Sequence, residues 1–220
     1  MSIIESLNLS IPQYETTLPF SKQTVQFTPF RVKDAKALTI ILQENNKSLA
    51  LKNMIEILKQ YTKNVDIDEL CLADAEYLFL QIRSKSVDEI LNLLYKDKKI
   101  QVNINDIKWK NEELEEEIKI GIDLSLFLST PKIKHLIRLP SLEKEDIIRS
   151  CIQKVIFKNE IYKVNKFVTD EIKQIIENLP LSVLPKIETF LNKEPQLYLE
   201  ITLDDEKKEV SGILNFFTYR

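Results

Sequence analysis

A chain of 220 residues, 44% of them hydrophobic and 30% charged, has the length and composition of a globular protein with a sizeable core. Its net charge of −3 predicts no general attraction to nucleic acid or to an anionic membrane, and two glycines are too few for glycine-rich phosphate loops. The N-terminus lacks a basic segment followed by an apolar one, and no apolar run reaches the length of a membrane span. We therefore predict neither a signal peptide nor a membrane segment.

The N-terminal part of the chain predicts an arm, a strand and two helices. Residues 1–21 are polar and contain two prolines, so we expect an extended arm that is either loosely ordered or ordered by a partner. Residues 24–30 alternate as a short strand. Residues 31–44 have the period of a helix, whose inward face would carry Val32, Ala35, Leu38, Ile41 and Leu42. Ser48 is predicted to cap a second helix that ends near Tyr61, with Leu51, Ile55 and Leu58 facing inward.

Residues 66–86 predict the central helix of the fold. Asp68 or Asp74 is expected to cap its start, and Arg83 and Lys85 lie near its end, where the helix dipole favours positive charge. Its apolar residues cover more than one stripe, which indicates a helix buried on most sides. These residues are Leu72, Ala75, Tyr77, Leu78, Phe79 and Ile82.

The middle of the chain changes to the period of strands. Residues 87–107 predict a β-hairpin with a charged turn, and the acidic run at 112–117 predicts a solvated face. Trp109 is interpreted as a filler of a core or of its edge. Residues 118–128 alternate as one strand, bent near Gly121.

Helical periods return in the C-terminal part. Residues 142–157, 170–179 and 181–191 predict helices, and residues 197–210 predict a second hairpin that echoes the first. The final residues form a dense apolar cluster where chain ends are usually polar, which predicts a partner interface; the alternative is docking into the core. The cluster consists of Ile213, Leu214, Phe216, Phe217 and Tyr219.

Together these elements predict an α+β protein, in which helical hairpins pack on short antiparallel strands and two β-hairpins protrude. We expect residues 1–21 to form the arm and residues 22–140 to form an N-terminal α+β half with the first hairpin. Residues 141–220 are expected to form a C-terminal helical half with the second hairpin and a terminal helix.

Few residues could carry chemistry. Cys71 and Cys151 lie far apart in apolar helical patterns, so we expect buried, reduced thiols. A hydrolase that pairs one of them with His135 is one alternative function, but no catalytic signature surrounds either cysteine. Two cysteines and one widely spaced histidine cannot complete a tetrahedral zinc site. We therefore predict no catalytic, metal or cofactor-binding residue and no enzyme.

A second alternative function rests on the tip of the first predicted hairpin. Lys96, Lys98 and Lys99 make this tip basic, and a nucleic-acid-binding adaptor could use it to contact phosphate. No aromatic stacking platform accompanies these lysines, and a solvated turn explains them more simply.

Three blocks of the sequence, taken in order and spacing, resemble the baseplate hub and assembly proteins of T-even-like contractile-tailed phages. The first block is a Leu-Pro start that leads to a strand, an aromatic-Pro-Phe turn and a helix. The second is an acidic–aromatic helix followed by Arg-x-Lys-Ser-Val, and the third is a Gly-Leu-x-x-Phe-Phe tail. The matching residues are Pro29, Phe30, Val32, Lys33, Lys36 and Leu38; Asp74, Tyr77, Leu78, Phe79, Leu80, Arg83, Lys85, Ser86 and Val87; and Gly212, Leu214, Phe216 and Phe217.

The resemblance implies a late, non-enzymatic component or assembly factor of the baseplate hub. Its partners would be other hub or tail assembly proteins, with no small-molecule substrate, cofactor or membrane. It would act in the host cytoplasm during assembly, and then either stay in the tail baseplate of the virion or leave as a chaperone. In the family that the chain resembles, many members carry Cys-x-x-Cys pairs at one or both hairpins, whereas this chain has no cysteine there. The resemblance therefore implies metal-free versions of zinc-ribbon-like hairpins.

Overall fold

The structure is a computed structural model that describes residues 10–36, 38, 46–95, 98–158, 160–163, 169–203 and 206–211. It has helices and antiparallel strands in small sheets, which confirms the predicted α+β class. The helices with described bounds are α1 Lys47–Tyr61, α2 Leu72–Ser86, α3 Ile133–Leu136, α4 Lys144–Cys151, α5 Thr169–Glu177 and α6 Leu184–Asn192. The strands are β1 Tyr14–Thr17, β2 Thr24–Phe27, β3 Thr62–Lys63, β4 Ile90–Tyr95, β5 Lys98–Asn103, β6 Lys108–Lys110, β7 Glu115–Lys119, β8 Leu124–Ser129, β9 Ile152–Phe157, β10 Glu160–Lys163, β11 Gln196–Leu203 and β12 Glu206–Ser211.

The chain divides into two compact units. The first unit combines Met1–Lys110 with Gln196–Arg220, and the second is Asn111–Pro195. This grouping differs from the halves that we predicted at 22–140 and 141–220. The reason lies within the first unit, where β11 returns late in the chain to pair with β6, so that Gln196 faces Lys110 across the ladder.

The first unit contains three small sheets. Strands β1, β2 and β3 form one, and the register pairs Tyr14 with Phe27. Strand β1 lies within the predicted N-terminal arm, so this part of the arm belongs to a sheet. Strands β4 and β5 form the first predicted hairpin, and β11 and β12 form the second, with β6 on the other side of β11.

Helices α1 and α2 pack against each other in the first unit. Helix α1 begins after Asn46, whose side chain accepts a hydrogen bond from the N–H of Leu49 at 3.1 Å. The prediction that Ser48 caps this helix was therefore wrong, and Ser48 is buried inside the first turn. The predicted inward face is correct, because Leu51, Ile55 and Leu58 are all buried.

Helix α2 is buried on most sides, as its composition predicted. Neither predicted aspartate caps it, because the helix begins after Cys71, which makes no side-chain cap. Asp68 instead lies in a short 3₁₀ turn just before the helix, and that turn is capped by Asp66. The buried residues of α2 are Ala73, Asp74, Ala75, Glu76, Leu78, Phe79, Leu80, Ile82 and Ser84.

The second unit contains a four-stranded antiparallel sheet in the order β10-β9-β8-β7, with helices packed against it. Its core joins residues of the sheet to residues of α4, of α6 and of the 3₁₀ turn Leu181–Val183 that precedes α6. These residues are Ile118, Leu126, Leu128, Ile148, Cys151, Ile152, Val155, Val183, Ile187 and Phe190.

Two predicted elements of the second unit were wrong. Residues 118–128 do not form one bent strand, because the chain turns at residues 120–123, where the N–H groups of Ile120 and Gly121 both donate to the carbonyl oxygen of Leu124. The predicted helix at 142–157 ends at Cys151, and its second half is β9. That half carries the β-branched residues Val155 and Ile156, and its pairing with β8 overrides the helical period.

Candidate functional site at the end of helix α2

Two of the three blocks that carry the resemblance meet in the first unit. The backbone N–H of Phe30 donates to Ser86 Oγ at 2.8 Å, and the Ser86 hydroxyl donates to the carbonyl oxygen of Ile82 at 2.5 Å. Ser86 therefore fastens the segment after β2 to the last turn of α2. These residues are far apart in the sequence, so their meeting depends on the tertiary fold.

The side chain of Phe30 completes this junction. Its ring packs edge-on against Tyr61, with centroids 5.2 Å apart, and at a tilt against Phe79, with centroids 5.4 Å apart. Phe79 is 3% exposed, and Tyr61 is also buried. Offset and edge-on ring pairs are favourable beyond the area that they bury, so the three rings hold together elements that are distant in the sequence.

Tyr61 adds a polar bond to the same junction. Its hydroxyl donates to Asp34 Oδ2 in the short 3₁₀ turn Val32–Asp34. Burial raises the pKa of Tyr61 to about 12, and the hydrogen bond and negative charge of Asp34 act in the same direction. Nothing local in the sequence pointed to Tyr61, because its role arises from a tertiary contact.

Asp74 fastens α2 to another part of the same unit. Its carboxylate is 0% exposed and accepts the backbone N–H groups of Phe20 at 3.0 Å and of Ser21 at 2.8 Å. A buried carboxylate is costly unless such donors satisfy it. Asp74 therefore fixes the turn between β1 and β2, where Lys22 has a φ of 58°.

The basic residues at the end of α2 bind the segment that leads to β4. Arg83 donates to the carbonyl oxygen of Asp88 at 3.0 Å, and burial lowers the pKa of Arg83. Lys85 pairs with Glu89 at 2.9 Å, and Glu89 also accepts from the side chain of Asn105 at 3.0 Å. Both cations thus hold the first hairpin against the helix.

The remaining predicted positions lie in different surroundings. Tyr77 contacts Trp109 edge-on, with ring centroids 6.3 Å apart, and Trp109 is 49% exposed at the edge of the core. Pro29 is half-buried beside Phe30, whereas Lys33 is exposed. The structure therefore brings most of the family-motif positions into one network of internal contacts.

The cysteines are buried and outside any disulfide, as predicted. Cys151 donates to Glu194 Oε1 at 3.3 Å, and burial together with this carboxylate raises the pKa of the thiol. A catalytic cysteine requires the opposite shift, toward the thiolate. Burial also raises the pKa of Glu194, which favours its protonated form.

Some predicted residues lie outside the part of the chain that the structure describes. These are residues 1–9 of the predicted arm, residues 37 and 39–44 of the predicted helix at 31–44, the basic tip residue Lys96, Gly212 and the whole C-terminal cluster. The members of that cluster are Ile213, Leu214, Phe216, Phe217 and Tyr219.

A family model described as T4 bacteriophage base plate protein matches residues 11–218 of the chain. The match spans almost the whole sequence and includes all three blocks of the resemblance. The chain belongs to this base plate family. No curated protein and no solved structure matches it.

Membership of the family makes this chain a protein of the phage tail baseplate, whose contacts are with other baseplate or tail proteins. Several of the residues by which the resemblance was recognised, among them Phe30, Asp74 and Ser86, fasten the first unit internally. In the described ranges, no helix is long and apolar enough to cross a bilayer.

Proposed function

We propose that this base plate protein is a non-enzymatic component or assembly factor of the baseplate hub. The observation that carries the proposal is the family match over residues 11–218. The network around Phe30, Phe79 and Ser86 supports the proposal, because these motif residues stabilise the fold. Such a role is expected in a protein that binds partners through its surface. Its partners are then other hub or tail assembly proteins, met in the host cytoplasm late in infection.

The environment of the cysteines supports a role without catalysis. Burial and the neighbouring carboxylate of Glu194 both raise the pKa of the Cys151 thiol, which opposes formation of the nucleophilic thiolate. Cys71 is also buried, at the start of α2. These surroundings disfavour the alternative of a hydrolase that uses a cysteine and His135.

One complementation experiment tests the proposal against the hydrolase. Cells infected by a phage that cannot make this chain receive either the natural protein or a variant with Cys71→Ala, Cys151→Ala and His135→Ala. We expect both proteins to restore plaques equally, because no reaction depends on these side chains. If the variant melts like the natural protein but restores no plaques, the non-enzymatic proposal is wrong.

A second measurement separates the two forms of the proposal. Mass spectrometry of purified virions finds the chain if it is a component of the hub and misses it if it is a released assembly factor. Copy number relative to other baseplate proteins then gives its stoichiometry.

A further inference from the structure

Two valines of the first unit are exposed beside the junction of Phe30 and Ser86. Val32 is 93% exposed and Val87 is 76% exposed. Val32 was predicted to lie on the inward face of a helix, so its exposure corrects that expectation. Single exposed valines are ordinary, but these two lie within two residues of the same hydrogen bond, between the N–H of Phe30 and Ser86 Oγ.

The backbone on either side of these valines is fixed by contacts with the interior of the first unit. Phe30, two residues before Val32, is packed between the rings of Tyr61 and Phe79. Ser86, which directly precedes Val87, is tied to Phe30 and to its own helix. A surface fixed in this way loses little conformational entropy when it binds, so it is preorganised for a partner.

The segment that carries Val32 also has local positive charge. Residues 31–36 contain three cations and one carboxylate, a local charge of +2 in a chain whose net charge is −3. The carboxylate, Asp34, accepts the hydroxyl of Tyr61. Lys33 and Lys36 are exposed, and neither forms an ion pair with another described residue.

The other side of the junction, residues 83–89 at the end of α2 and just after it, adds two cations, Arg83 and Lys85, and two carboxylates, Asp88 and Glu89. Lys85 is exposed beside Ser86 and pairs with Glu89. Asp88 is exposed, and its side chain accepts the N–H of Ile90 at 3.1 Å. Positive charge therefore dominates at residues 31–36, whereas charges balance at residues 83–89.

We propose that Val32, Lys33, Lys36, Lys85 and Val87 form a docking surface, the valine–lysine surface, for an acidic segment with aliphatic side chains on a partner protein. Carboxylates of the segment would meet the lysines, and its aliphatic side chains would cover the valines. This inference rests on the proposed function, because it takes the chain to act through protein contacts. A nucleic acid could satisfy the lysines, but its phosphates would leave the valines in water.

The test is binding of defined probes to the full chain, measured by fluorescence anisotropy. The first probe is a labelled peptide in which glutamate alternates with leucine, and the second has serine in place of every leucine. The third is a single-stranded DNA of similar charge. We expect the leucine peptide to bind at least about tenfold more tightly than the serine peptide, and the affinity to fall with added salt.

Variants locate the binding on the chain. We expect two double variants to weaken binding of the leucine peptide by about tenfold or more. One is Val32→Ser with Val87→Ser, and the other is Lys33→Glu with Lys36→Glu. The control for the lysine variant is Lys52→Glu with Lys63→Glu, which changes two exposed lysines of the same unit. The control for the valine variant is Ile122→Ser, which changes an exposed aliphatic residue of the second unit. The controls should bind as the natural protein does, and melting curves should be alike throughout.

Three results would overturn the valine–lysine surface. The first is equal binding of the leucine and serine peptides, and the second is equal loss of binding in the control variants. The third is tight DNA binding that the lysine substitutions abolish and the valine substitutions leave unchanged, which would favour the nucleic-acid adaptor. Failure of the proposed function is distinguishable, because the triple cysteine and histidine variant would lose complementation while its peptide binding stayed intact.

Discussion

At the scale of single residues, the hydrogen bond from Tyr61 to Asp34 links stability to pH. The folded protein raises the pKa of Tyr61 to about 12, above its ordinary value of 10.0. The folded state favours the protonated tyrosine, first through burial and then through Asp34, so the stability linked to this preference is complete below about pH 10 and is lost as the pH rises toward 12. Tyr61→Phe should remove this part of the decline.

Chemical denaturation between neutral and strongly alkaline pH measures the effect. The control is Tyr77→Phe, which alters a half-buried tyrosine whose ring contacts Trp109. We expect the free energy of unfolding to fall less steeply at alkaline pH in Tyr61→Phe than in the natural protein or the control. Equal slopes in all three proteins would mean that Tyr61 does not hold its proton in the folded state.

The two cysteines give a second prediction at this scale. Both thiols are buried, and the pKa of Cys151 is raised, so neither should form the thiolate that alkylating reagents attack. Iodoacetamide should modify neither cysteine in the native protein and both in denaturant, as counted by mass spectrometry. Rapid modification of one cysteine under native conditions would revive the hydrolase alternative.

At the scale of elements, α2 is predicted to act as a stability element. Phe79 is buried and contacts Phe30, so Phe79→Ala should cost about 3–5 kcal/mol in the free energy of unfolding. Trp109→Ala, at a half-exposed ring, serves as the control and should cost less. A Phe79→Ala protein that melts like the natural one yet loses its partner would place Phe79 at an interface instead.

Elements were predictable where periodicity alone decides them. Helix α2, strand β2 and both hairpins follow from patterns within their own residues. Strand β9 was missed because Ile152–Phe157 fits a helical period as well as a strand, and only its pairing with β8 decides between them. The turn at residues 120–123 was missed because one long alternation hides a reversal of the chain.

The sequence predicted which residues belong to the candidate site, but not how these residues contact one another. The resemblance selected Phe30, Phe79, Arg83, Lys85 and Ser86, which the structure brings together around the end of α2. Tyr61 and Asp34 were missed, since neither is one of the matching residues. The exposure of Val32 was also missed, because its helical period predicted burial and no local signal distinguishes a presented valine from a buried one.

At the scale of the whole molecule, the C-terminal cluster is still a predicted interface. Deletion of the chain after Gly212 removes Ile213, Leu214, Phe216, Phe217 and Tyr219. We expect the truncated protein to keep its melting transition and to lose partner binding, because dense aromatic side chains at a chain end suit an interface. A large loss of stability, or unchanged binding, would assign the segment to the core of the chain instead.

The central claim is that this base plate protein takes part in building the tail baseplate. Electron microscopy of lysates tests it most directly, with a phage that cannot make the chain and the same phage supplied with the chain from a plasmid. We predict filled heads without complete baseplates in the first lysate, and complete tails in the second. Complete baseplates in normal number without the chain would contradict the account.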